Sequence, residues 1–312
     1  MNYIISFFIF CLVLFLYLHI YFQLKTSNDL EVFSIQNPSK NKLEEICDIR
    51  QPVMFDFANE EILETCNLSF IDDTYKAFDI KIRDVTNDDP NAEMYIPLLF
   101  SEAIKLFQND EDNKYISEKN GDFLEETGLV KSYKYNDSFL RPPLVSNCKY
   151  DLLIGSKSTA TPLRYSINYR NFYYVTSGEV TLKLIVPQNS KYLYPMKDYE
   201  NFEFSSPINV WNVQNEYKAD FNKVKVLDIV LKKGSMIYIP AYWWYSIQFN
   251  EISSIAIFQY RTYMNTIAIL PEIAMSLLQK QNVKREIVEK VELDVTKVRL
   301  DVKEADSIEK ID

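Results

Sequence analysis

The chain opens on an unbroken apolar run, IISFFIFCLVLFLYLHIYF from Ile4 to Phe22, nineteen residues without a formal charge at neutral pH. A hydrocarbon core of about 30 Å takes about 20 such residues as a helix, so the run predicts a transmembrane helix. It is longer than the usual core of a signal peptide, no basic residue precedes it, and HIYFQLKTS offers no small-x-small cleavage site; an uncleaved anchor is expected. Ser27 to Lys42 is polar and contains Asn37-Pro38, which predicts a stalk. Beyond it LEEICDI, from Leu43, and EEILETC read as short helices, and PVMFDF, Pro52 to Phe57, alternates like a strand. Met94 to Asp110 has helical spacing through its second half, whereas NDEDNKYISEKNGDF, Asn109 to Phe123, reads as an exposed excursion.

From Ser146 the period shortens. YDLLIG, NFYYVTS, EVTLKLIV, KVLDIVLK, SMIYIP, WYSIQF and SSIAIFQY are short β-favouring runs set apart by turn residues, a density that predicts a sandwich or barrel. Gly178 marks a hairpin between two of them and Gly234 a turn into another. After Tyr263 the pattern is helical, with Pro271 in a plausible first turn, and the closing KEADSIEKID is charged enough to fray. No repeat of fixed period is present.

Composition narrows the chemistry. A net charge of −10 opposes a general nucleic-acid binder, because neutralising phosphates needs a basic face. Acidic stretches such as DVTNDDP, Asp84 to Pro90, read as solvated loops. Richness in Asn, Lys, Ile, Tyr and Phe suits an AT-rich genome. Cys11 lies in the apolar run; Cys47, Cys66 and Cys148 match no zinc or redox spacing and read as free buried thiols. The chain has one histidine, His19, inside the apolar run, where it reads as a polar residue of the membrane interface. With no histidine elsewhere and no GxSxG elbow, Ser-His nucleophilic catalysis is excluded, and no phosphate-binding glycine loop exists.

One stretch carries specific information: GSMIYIPAYWWYSIQF, Gly234 to Phe249. Gly234, Pro240 and Tyr245 have the spacing of the second cupin motif, and IYIPAYWWYSI resembles the JmjC-like cupin oxygenases of the asparaginyl-hydroxylase branch, where a double Trp precedes a metal-binding histidine. Upstream, Thr161 to Pro187 resembles that family's segment with its His-x-Asp metal pair, an Asn-Phe strand, a glycine turn and a strand ending in proline; KYLYP, Lys191 to Pro195, and RQPVMF, Arg50 to Phe55, fit as well. The resemblance runs from about Asp48 to Asn265. It implies a mainly β fold, a double-stranded β-helix (cupin, jelly-roll) barrel with flanking helices, preceded by one transmembrane helix. The metal ligands do not carry over: Arg164-Tyr165-Ser166 stands where the family has His-x-Asp, and Tyr245 where it has the distal histidine. The family's lysine for the 2-oxoglutarate carboxylate falls near Val180. A facial-triad iron site needs two imidazoles and a carboxylate, which this body does not own.

The expectation is therefore a membrane-anchored, JmjC-like pseudo-oxygenase serving as a binding or structural module, with no catalytic residue, metal or cofactor; the alternatives are an active 2-oxoglutarate-dependent hydroxylase or altered chemistry in the same pocket. Arg164, Ser166 and Tyr245 are the degenerate metal positions, and Arg164, Tyr165, Tyr174 and Tyr245 a candidate anion or ligand pocket, to which Tyr173 adds a hydroxyl. The plainer expectation pairs Arg164 with a local carboxylate such as Asp228, or turns it to solvent, and makes the tyrosines core filler. Trp243 and Trp244 read as packing; Trp211 is uninformative. The expected organisation is an anchor over 1–26, a polar stalk over 27–47, the cupin domain over 48–265, and a helix and charged tail over 266–312. Expected partners are the membrane, through 4–22, an unidentified protein, and a second copy through Pro271 to Val295, with no nucleic acid. Lys25, Lys40 and Lys42 after the span, with none before it, point the domain toward the cytosol of an endomembrane or viral-membrane protein; Asn67-Leu68-Ser69 and Asn136-Asp137-Ser138 are sequons that matter only in a lumen.

Overall fold

The structure is a computed structural model and describes residues 2–87 and 94–281. In chain order its strands are β1 (Phe33–Ile35), β2 (Val53–Asp56), β3 (Asp79–Asp84), β4 (Ile96–Leu99), β5 (Tyr115–Ser117), β6 (Val145–Gly155), β7 (Arg164–Tyr165), β8 (Arg170–Ser177), β9 (Glu179–Ile185), β10 (Met196–Asp198), β11 (Glu203–Ser205), β12 (Leu227–Lys232), β13 (Ser235–Tyr238), β14 (Trp244–Phe249) and β15 (Ser253–Thr262). The helices are α1 (Asn2–Leu24), α2 (Lys40–Cys47), α3 (Glu60–Thr65), α4 (Leu68–Tyr75), α5 (Phe100–Gln108), α6 (Gly121–Glu126), α7 (Val130–Asn136), α8 (Lys218–Phe221), α9 (Tyr263–Ala268) and α10 (Leu270–Gln281).

The strands form two sheets, ordered β1-β2-β13-β8-β15-β6-β5-β3-β4 and β10-β11-β7-β14-β9-β12. Every ladder is antiparallel except the short β1–β2 pair. Side chains alternate across a strand, and here both faces of the larger sheet are covered, so its central strands read as continuous apolar runs. On β8, Phe172 and Tyr174 enter the core under the helices, whereas Tyr173 and Val175 enter the core between the sheets. Met236 and Tyr238 against Ile237 on β13, and Ala256 and Phe258 against Ile255 and Ile257 on β15, divide the same way. The smaller sheet closes the second core with Val180, Leu182, Leu184, Tyr245, Ile247 and Phe249.

The two tryptophans are buried, and each indole N–H finds an acceptor: Trp243 donates to the Arg50 carbonyl at 3.2 Å and Trp244 to Ser190 Oγ at 2.7 Å. Trp211, by contrast, donates to Ser246 Oγ at 2.8 Å and is not idle.

Three expectations need correction. Residues 27–47 are not a free stalk: β1 pairs with β2, and α2, capped by Ser39, buries Leu43 and Cys47 in the helix-side core. The acidic excursion after Asn109 is not wholly exposed, since β5 joins β3 and β6 and buries Ile116. Gly178 does not close a hairpin. At φ +77 it turns the chain from β8 in one sheet to β9 in the other, a left-handed corner with Ser253 packed against it. Most of Pro271 to Val295, and the charged tail, lie outside the described residues; α10 covers the first part.

The N-terminal run is one helix, apolar on all sides, with mean hydropathy 2.5 over Tyr3–Leu24. Its last turns meet the domain: Leu18, His19, Phe22 and Gln23 line a cavity with Pro143, Tyr169, Thr262 and Met264.

Candidate functional site

A cavity of about 130 Å³ opens between the sheets, and Arg164, Tyr165, Ser166, Tyr173 and Tyr245 line it. The register of the smaller sheet puts Arg164 on β7 directly opposite Tyr245 on β14. From the larger sheet Tyr173 reaches across, its hydroxyl donating to that of Tyr245 at 2.7 Å. Burial and the neighbouring Tyr245 push the Tyr173 phenol well above its ordinary pKa, so its hydroxyl stays protonated at neutral pH.

Arg164 pairs with neither Asp228 nor solvent. Its Nη1 lies 2.7 Å from Oε2 of Glu118, just beyond β5, while Asp228 pairs with Lys183 on the outside of the smaller sheet. Glu118 is the centre of a larger network. Its Oε1 accepts from Arg83 Nη1 at 2.9 Å and from the Tyr95 hydroxyl at 3.0 Å, and Arg83 reaches both Glu203 oxygens at 3.0 Å. The four charged side chains are 4 to 13 % exposed. Burial alone would raise the Glu118 carboxyl, but the Arg164 and Arg83 guanidiniums outweigh it and hold it at about 2. The same carboxylate keeps Arg164 well above its ordinary value despite burial. Arg164 Nε is buried without a partner.

Of the remaining sequence candidates, Ser166 has its hydroxyl engaged elsewhere and Tyr174 lies outside the cavity. Ser166 lines the cavity, but its hydroxyl donates to Asn171 Oδ1 at 2.8 Å and accepts from the Asn168 amide at 3.2 Å. Tyr174 faces the other side of its sheet, with its hydroxyl donating to the Phe57 carbonyl, because a period of two separates it from Tyr173. Tyr165 stacks on Phe204 at 5.2 Å and meets Trp244 edge-on at 4.7 Å. Val180 is apolar core. Sequence reasoning missed Glu118, Glu203, Arg83 and Tyr95, which come from segments remote from the motif; the one signal was Glu118 following an alternating YIS inside an acidic stretch. Among the described residues no three His, Cys, Asp or Glu side chains cluster as metal ligands would.

Two sheets of short antiparallel strands around a polar cavity, with helices against the outer face of the larger one, define the class. The chain belongs to the cupin-like domain family, whose model matches residues 72–264. It is similar to JmjC domain-containing protein D of Dictyostelium discoideum, 28% identical over 102 residues, 33% of this chain and 22% of that protein. It is also similar to HSPB1-associated protein 1 of Bos taurus and of Rattus norvegicus, in each case 28% identical over 98 residues, 31% of this chain and 20% of theirs. The chain thus spans about a fifth of the length of these curated relatives.

Proposed function

We propose that this protein is a membrane-tethered cupin-like module that has lost Fe(II)/2-oxoglutarate chemistry and acts by binding. The observation that carries this reading is the Arg164–Glu118 ion pair, with Tyr173 bonded to Tyr245, at the positions where the family resemblance would have metal ligands. The residues do not fit the metal. A facial triad takes two imidazoles and a carboxylate; these positions offer a guanidinium, a hydroxyl and a phenol, and the one histidine of the chain belongs to α1. The carboxylate nearest these positions, Glu118, is claimed by two arginines, whose fixed charge opposes a divalent cation. No catalytic step follows from such a site.

The tether is α1, which is long and apolar enough to cross a membrane. Its fit to the domain supports an anchor over a cleaved leader: Gln23 is buried, and the Arg50 guanidinium lies 5.7 Å from the Phe22 ring centre and 4.5 Å from that of Tyr169. A cytosolic domain agrees with Lys25, Lys40 and Lys42, which follow the span.

Metal content and 2-oxoglutarate binding of the detergent-purified chain, prepared anaerobically with Fe(II) offered, test the reading. Neither metal nor ligand is expected in stoichiometric amount. Iron at one per chain with 2-oxoglutarate binding that depends on it would overturn it in favour of an active oxygenase.

A further inference from the structure

The same cavity holds more positive charge than its internal ion pairs use. Its walls, with Arg83 behind them, bring five cations, Arg83, Lys119, Lys149, Arg164 and Arg261, against three carboxylates, Glu118, Asp151 and Glu203, in a chain whose net charge is −10. The carboxylates are spoken for. Glu118 and Glu203 are held by the arginines, and Asp151 accepts from the backbone amides of Lys119 at 2.9 Å, Asn120 at 2.7 Å and Leu152 at 2.9 Å. Among the described residues, Lys119, Lys149 and Arg261 have no carboxylate within 4.0 Å.

The ladder gathers them. On β15 and β6, Gln259 faces Lys149 and Arg261 faces Asn147, so Lys149 and Arg261 are diagonal neighbours on one face, about 7–8 Å apart at the backbone. Lys119 joins them through the bond from its amide to Asp151 on β6. Arg261 spends Nε on Asn168 Oδ1 and lies 5.0 Å from the Phe202 ring centre, while Lys119 donates to the Asn201 carbonyl at 3.2 Å. Neither contact supplies a negative charge. Burial pushes both Lys119 and Arg261 below their ordinary pKa: for Arg261 nothing opposes it, and for Lys119 the charges of Glu203 and Glu118 act the other way without cancelling it. A second cavity shares Lys149, Asn168, Phe202, Gln259 and Arg261 with the first and adds Lys280 of α10.

We propose that Lys119, Lys149 and Arg261 form a binding site for a small multivalent oxyanion, a phosphate group or a dicarboxylate, with Asn147 and Gln259 beside them as amide donors. The site deepens the binding-module reading and rests on it, although it is displaced from Arg164, whose charge Glu118 already balances. The ligand supplies the counter-charge that the fold leaves out, and the orphaned Arg164 Nε is a further donor at the inner end.

The test is calorimetric titration of the full chain, in nanodiscs of phosphatidylcholine, with inorganic phosphate and separately with succinate. Saturable one-to-one binding of at least one anion is expected, with a dissociation constant of about 1 mM or tighter. Arg261→Gln and Lys149→Gln are each expected to weaken it by about tenfold; Lys149 is exposed, so its variant folds. Lys183→Gln, which alters a pair on the outer face, leaves binding unchanged. Phosphate binding alone assigns a phosphate source, and succinate alone a carboxylate one. No saturable binding of either anion, or full binding in both cavity variants, overturns the proposal. A chain that lacks iron and binds neither anion loses this inference and keeps the functional reading; a chain that binds iron loses that reading first.

Discussion

Glu118 sets the charge balance between the sheets. Replacing one member of a buried pair leaves the other charge uncompensated, at a cost of about 3–5 kcal/mol, whereas replacing both with apolar groups is often neutral. Glu118→Gln is therefore expected to lower stability by about that amount in urea unfolding, and Glu118→Leu with Arg164→Met to recover most of it. The pH dependence follows from the same pair. A carboxyl held at about 2 when folded and titrating at about 4.3 when unfolded stabilises the fold above the unfolded value and loses that contribution as pH falls toward the folded one. Thermal scans from neutral to acid pH should show wild type losing more of its melting temperature below about pH 4 than Glu118→Gln does. The buried thiols titrate in the other direction: burial pushes Cys47 and Cys66 up to about 11. In the native chain at mildly alkaline pH, of the three domain thiols only the partly exposed Cys148 should react promptly with a disulfide reagent, with Cys47 and Cys66 following on denaturation. Prompt reaction of Cys66 would show that its neighbourhood opens.

At the scale of elements, the strands after Ser146 were legible because each core position repeats every two residues, and because both faces of β8, β13 and β15 are buried. The corner at Gly178 was legible only as a turn. Which sheet each flanking strand joins depends on partners far along the chain, β13 and β15 for β8, β12 and β14 for β9. This corner gives a paired test. Gly178→Ala meets both a left-handed backbone and Ser253 and should cost about 1–3 kcal/mol; Gly234→Ala, also at positive φ but with nothing near the added methyl, should cost only about 1 kcal/mol. Equal losses on thermal unfolding would mean that Ser253 moves aside freely. Strand β5 was missed because three residues among charged neighbours carry almost no periodic signal; pairing on both sides buries Ile116 and brings Glu118 with it.

At the scale of the whole molecule, the anchor reading predicts that the full chain stays with membranes after alkaline carbonate extraction and that a chain starting at Lys25 does not. Recovery of the full chain in the supernatant would remove the tether. The shorter chain should also bind more of a dye that senses apolar surface, because the last turns of α1 cover Tyr169 and Met264. The sequence by itself determined the N-terminal helix, the run of strands and the glycine and proline positions of the cupin-like motif, since each is written in spacing over a few positions. It did not determine that Arg164 would face Glu118, that Tyr174 would turn away from Tyr173's cavity, or that Lys119, Lys149 and Arg261 would share a wall of it. Those outcomes arise when two sheets close and exclude water, because a buried charge must find its counter-charge wherever the closed fold puts one.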